Sequence, residues 1–196
     1  MPKSTFFNLS EEKRKRIFNA AVKEFAARRF NEASINKIVK EAKIPWGSFY
    51  QYFNDKEDIY RYVYTEILRK KRDIVHNTEI VDLNSDAFEI CMQSVKASYE
   101  WGKANPEYNN VGLLMDIDFS DVAVELRTMA NESLKKLIER DKQRGLIRPE
   151  VDTELVVEMI ATLIVKEYFK TGYNKDLYLK KVNEIINIIK GGICQC

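Results

Sequence analysis

Ser34 to Lys56 reads S-I-N-K-I-V-K-E-A-K-I-P-W-G-S-F-Y-Q-Y-F-N-D-K. Ile35, Ile38, Val39 and Ala42 recur at three- and four-residue steps, which puts them on one face of a short helix, with Ser34 placed to cap its start. That helix must stop before Pro45, because a proline pushes the residue preceding it out of the helical region. Pro45 also suits the start of a new helix, where its missing N–H costs nothing, and Trp46 to Phe53 supplies about two turns. Two short helices on a tight turn make a helix-turn-helix unit, whose second helix bears Gly47, Ser48, Tyr50, Gln51 and Tyr52 and is able to enter a DNA major groove. Downstream, Asn54 and Glu57 are spaced as a capping box for a long helix with Ile59, Val63 and Ile67 on its core stripe. Upstream, Ile17, Phe18, Ala21, Val22 and Phe25 make Ser10 to Arg29 an amphipathic helix, with Ser10 as its N-cap.

The net charge of +2 conceals a division. Residues 1–72 hold 17 Lys and Arg against 9 Asp and Glu, a net of +8, whereas residues 73–196 hold 15 against 21, a net of −6. A basic first third on an acidic remainder is the footprint expected for a polyanion, since Lys and Arg gain by displacing counterions from phosphates. With 45% apolar and 32% charged residues, seven Gly and four Pro, disordered, collagen-like and disulfide-scaffold classes are excluded. No apolar run spans a membrane and no apolar core of a signal peptide opens the chain, so a cytoplasmic protein is expected, with Cys91, Cys194 and Cys196 as reduced thiols.

The segment quoted above resembles the DNA-binding head of the tetracycline-repressor-like (TetR) family of bacterial transcription regulators. The matching residues are Ile38, Ala42, Ile44, Gly47, Phe49, Tyr50, Tyr52, Phe53, Lys56 and Glu57. Two positions depart from the family pattern: Lys43 stands at the turn glycine, where a positive φ would strain it, and Pro45 stands at the cap serine, which removes a hydroxyl. The resemblance implies an all-α protein, with a three-helix DNA-binding head at 9–55 and a helical ligand-binding and dimerisation body at 56–190. It implies DNA contacts from Ser34, Asn36, Trp46, Gly47, Ser48, Tyr50, Gln51, Tyr52 and Lys56. In physical terms, Phe49 and Phe53 are core at i, i+4, so Tyr50 and Tyr52 cannot both share their face. Gly47 permits close approach of a backbone, of DNA or of a neighbouring helix. Gln51 can pair bidentately with adenine. Lys56 lies in a first helical turn, where the macrodipole disfavours a cation and a phosphate would account for it. Arg69 to Arg72, at the far end of the same helix, read as solvated.

The body is helical throughout, with a helix ending near Asn105-Pro106 and another ending at Gly145. Val156 to Val165 are apolar nearly all round, so the helix from Thr153 to Tyr168 must be covered on more than one side. With the helix from Leu177 to Lys190 it is expected to form the interface of a homodimer that presents two heads to one palindromic operator. A small apolar or aromatic effector that releases a repressor from its operator is implied by the resemblance. Phe88, Met92, Tyr99, Met115, Phe119, Met129 and Tyr168 are the candidate lining residues. A ligand-independent DNA-binding protein with the same head is the alternative. Asp116-x-Asp118 reads as two polar residues rather than a metal pair, no metal or cofactor is expected, and no catalytic motif accompanies the single His76.

Overall fold

The computed structural model describes residues 1–77 and 84–194, with side chains of 73–77 excepted, so that His76 and Cys196 lie outside the described side chains. Ten α-helices follow one another among the described residues: α1 (Ser4–Phe7), α2 (Glu11–Ala27), α3 (Ile35–Glu41), α4 (Trp46–Tyr52), α5 (Lys56–Asn77), α6 (Ala87–Ala104), α7 (Pro106–Asp116), α8 (Asp121–Gln143), α9 (Thr153–Thr171) and α10 (Lys175–Ile193). A single 3₁₀ turn, Phe30–Glu32, joins α2 to α3. The fold is all-α, and no described helix is long and apolar enough to cross a membrane.

The helices pack as two units, Met1–Arg72 with Gly102–Arg127, and Asp73–Trp101 with Thr128–Cys196. In the first, α2 lies against α3 and α7, and α1 against α4. Its core includes Ile17, Val22, Phe25, Ile38, Phe49, Phe53, Ile59 and Val63, all buried. In the second, α9 packs on α10. Phe88, Tyr99, Ile138, Val157, Ile160, Val182 and Ile186 fill the centre. There the fully buried Asp141 closes the start of α6 onto α8: its carboxylate accepts from Ala87 N–H at 2.6 Å and from Arg140 Nε at 2.9 Å.

Helix ends largely follow local chemistry. Ser10 caps α2, its hydroxyl accepting from Lys13 N–H at 3.4 Å, and Pro106 opens α7 directly after α6 ends at Ala104. Two expected caps differ. Ser34 occupies the cap position of α3, but its hydroxyl makes no capping bond; its N–H donates to Glu24 Oε1 of α2 at 3.0 Å. The capping box at α5 is displaced by one residue from Asn54 and Glu57. Asp55 accepts from Asp58 N–H at 2.9 Å, and the Asp58 carboxylate reaches back to Asn54 N–H at 2.9 Å. Aspartate at both positions out-competes the longer Glu57, which stays exposed and pairs with Arg61.

The turn between α3 and α4 is a Schellman motif: Ile44 N–H donates to Val39 O and Lys43 N–H to Lys40 O, both at 3.2 Å. Lys43 sits in the left-handed region at φ 52°. A side chain there is strained, whereas glycine is not. Lys43→Gly is therefore expected to raise the stability of the first unit by up to about 1 kcal/mol, read from the midpoint of urea unfolding, the strain relief outweighing glycine's extra unfolded-state entropy.

Candidate nucleic-acid interface

Apolar spacing decides which side of α4 faces outward. Phe49 and Phe53 have no exposed surface, and Tyr52 joins them at 6% exposure. The remaining face carries Trp46 and Tyr50, 45% and 44% exposed, with Gly47 and Gln51 also exposed and Ser48 half-buried. The rings of Trp46 and Tyr50 meet edge to face at 5.7 Å, so two aromatics one turn apart present a joined outward surface. At Gly47 an added Cβ would meet nothing within 4 Å. No neighbouring helix of this chain requires that glycine, although it weakens a seven-residue helix.

The other candidates divide. Asn36 is exposed at the start of α3. Ser34 is half-buried and tethered through its backbone to Glu24. Tyr52 lies inward, its hydroxyl accepting from Lys13 Nζ at 3.1 Å. Lys56 is committed within the chain: its ammonium donates to Ala33 O at 3.0 Å and Asn31 O at 3.3 Å, and sits 4.6 Å above the Phe30 ring. Burial lowers its pKa, with Asp118 acting in the opposite sense. Those carbonyls end the 3₁₀ turn, so they explain a cation in the first turn of α5 without any external anion. The basic run at the other end of α5 is only partly solvated. Lys70 Nζ donates to Tyr108 Oη at 3.1 Å and lies 4.8 Å from the Phe18 ring, and Lys71 is half-buried.

The apolar candidates for an effector site are divided between the two units. Phe88 and Tyr99 belong to the second unit's core, where Met92 and Tyr168 pack on them. Tyr99 Oη is tied to Gly172 O at 2.8 Å. Met129 is 49% and Phe119 86% exposed, while Met115 is buried in the first unit. A polar cluster in the first unit was not legible from spacing. Tyr60, Tyr64, Ile67 and Lys71 follow one face of α5 at i, i+4, i+7 and i+11. The phenols of Tyr60 and Tyr64, both buried, have no hydrogen-bond partner among the described residues, nor do the side chains of Lys71 and Asp116. Asp116 acts electrostatically on both phenols and on Lys71. Arg127 spends its guanidinium on the end of α7, donating to Met115 O at 2.7 Å and Asp118 O at 2.6 Å. Asp118 is structural, accepting from Phe30 N–H at 2.7 Å. No described group of His, Cys, Asp and Glu could hold a metal ion.

A basic segment that displays the outward face of a second short helix on a tight turn defines a helix-turn-helix regulator head. Residues 17–63 match the family described as bacterial regulatory proteins, tetR family, so the likeness is carried by the segment that holds the helix-turn-helix. The HTH-type transcriptional regulator YdgC of Bacillus subtilis is 25% identical over 187 residues, 93% of each chain. Among solved structures, a TetR-family regulator from Chloroflexus aurantiacus aligns over 100% of both chains with TM-score 0.69 and 24% identity. The Bacillus subtilis regulator FadR, solved with stearoyl-CoA, aligns over 91% of this chain and 98% of its own with TM-score 0.67 and 18% identity.

Burial pushes the Asp116 carboxyl up to about 6, against the pull of Arg127 and Lys71. An acid whose pKa is raised on folding holds its proton more tightly in the native state. Its contribution is most favourable below the unfolded value and is lost as pH rises through about 6. Asp116→Asn is expected to stabilise the protein at pH 8 by about 1–3 kcal/mol and to flatten the dependence of urea stability on pH between about 4 and 7.

Proposed function

We propose that the chain is a homodimeric transcriptional repressor of the cytoplasm, released from a palindromic operator by a small molecule. The observation that carries the DNA reading is the outward face of α4 on a segment of net charge +8. It holds a glycine that no intramolecular packing demands, two exposed aromatics and Gln51. Gln51 would read adenine, Tyr50 and Trp46 would meet phosphate or thymine methyl groups, and Gly47 would let the DNA backbone approach. Asn36, Ser34 and Ser48 would add contacts from the starts of α3 and α4. Lys56 and Tyr52, held inside the head, would act by placing their neighbours. The head proper is assigned to 9–55 and the responding body to 56–190.

The dimer reading is supported by α9, where Leu155, Met159 and Phe169 are exposed at helical spacing, and by Ile188 exposed on α10. Apolar side chains in a row on a helix gain by being covered. For the effector, the FadR complex with stearoyl-CoA supports an apolar chain as one class. Its polar end would find partners in Tyr60, Tyr64, Lys71 and Asp116, beside the buried Ile67 and Met115. An effector acts by binding better to the state whose heads do not fit the operator. The curated relatives are transcription regulators, and no catalytic role is proposed.

Two measurements test this reading. Selection of bound duplexes from a random-sequence pool should yield a palindromic site. Gly47→Ala should bind it at least about tenfold more weakly while unfolding at higher urea, by about 0.5–1 kcal/mol. Equal affinity for selected and random duplexes in the wild type would overturn the repressor reading. In sedimentation at micromolar concentration the wild type should run as a dimer and Leu155→Asp as a folded monomer; a wild-type monomer would overturn the α9 and α10 interface.

A further inference from the structure

The last carbonyls of an α-helix have no donors within the helix, and in a helix of seven residues they are a large share of the whole. In α4 three of them, at Tyr50, Gln51 and Tyr52, accept from one short segment at the other end of the head sequence. Lys3 Nζ donates to Tyr50 O at 2.8 Å, the Thr5 hydroxyl donates to Gln51 O, and Lys3 N–H donates to Tyr52 O at 2.8 Å. Phe6 fastens the same segment from its apolar side. It has no exposed surface, and its ring lies 5.0 Å from Phe53 and 5.1 Å from Tyr62, which joins the end of α4 to α5. The arm thus grips α4 at the end away from the Lys43 turn, on the backbone of the residue whose side chain is the base-reading candidate.

We infer that Lys3, Thr5 and Phe6 are positioning residues that set the tilt of α4 and thereby the sequence preference of the head, an inference that rests on the DNA reading proposed above. A seven-residue helix is about 10 Å long, so a tilt of about 10° about its first turn moves its far end by about 2 Å. That displacement breaks a bidentate bond from Gln51 to a base edge, which tolerates only tenths of an ångström. It leaves phosphate attraction almost unchanged, because that attraction is long-ranged and carries no sequence information. The arm therefore governs discrimination and contributes little to bulk affinity.

The experiment compares Thr5→Val, which removes the hydroxyl at nearly constant shape, with Thr5→Ser, which keeps it. Each full-length variant is titrated against the duplex that the wild type selects from a random pool and against a scrambled duplex of the same composition, at several salt concentrations. Thr5→Val is expected to lower the ratio of the two affinities about tenfold, with the scrambled-duplex affinity and its salt slope unchanged, and Thr5→Ser to restore the ratio. Without DNA, the amides of Tyr50 to Phe53 should exchange hydrogen faster in Thr5→Val than in the wild type or Thr5→Ser. An unchanged ratio in Thr5→Val overturns the inference. So does a parallel fall of both affinities with loss of helix signal, which would make the arm a fold element only. Phe6→Ala should lower the ratio further. A wild type that prefers no duplex sinks the repressor reading, and exchange at α4 then decides on its own whether the arm holds the helix.

Discussion

A helix of two turns does not hold its shape in water, because nucleation costs more than so few hydrogen bonds return. The outward face of α4 therefore exists only as far as its surroundings impose it. Three independent constraints do so. Pro45 and the left-handed Lys43 fix its beginning, Phe49 and Phe53 fix its rotation by burial, and the arm satisfies its last carbonyls. The first two are written in the local sequence. The third joins residues more than forty apart along the chain.

That difference separates what was legible from what was not. Ser10, Pro45, Pro106 and Gly145 punctuate helices through the chemistry of one or two residues, and the strain at Lys43 followed from a lysine standing where φ is positive. Phe49 and Phe53 were readable as core from their spacing alone. The fate of polar side chains was not, because their partners are remote. Lys56 finds the carbonyls of Asn31 and Ala33, Ser34 is held by Glu24, and Asp118 accepts from Phe30 eighty-eight residues away. Each of these groups looks in sequence like an exposed charge or a local cap. Among the effector candidates, periodicity marked Phe88 and Tyr99 as apolar, but could not tell a packed core from a cavity wall, and it gave no sign of the partnerless phenols on α5.

The two halves of the molecule manage charge differently. In the first unit most cations stay on the surface, and those drawn inward, Lys56 and Lys70, rest against aromatic faces and main-chain or phenolic oxygens. In the second, the carboxylate of the buried Asp141 accepts from Ala87, Arg140 and Arg144, so its oxygens are not left without donors. Among the described residues the Tyr60, Tyr64, Lys71 and Asp116 group departs from that pattern, its side chains acting on one another electrostatically without a hydrogen bond.

The hydrogen bond between Asp118 and Phe30 bears on how the protein is made. The first unit takes in residues 102–127, beyond a stretch that belongs to the other unit. A ribosome releasing the chain from its N-terminus therefore cannot deliver a finished head after residue 55 or 72, because Phe30 N–H and the α2 surface under α7 still await their partners. The head closes only once α7 and the start of α8 have emerged, when the first segment of the second unit is already made and waiting for α9 and α10. The two units are interleaved in synthesis as well as in sequence, and a gene cut at the end of the helix-turn-helix would encode a head lacking the acceptor of one of its buried amides.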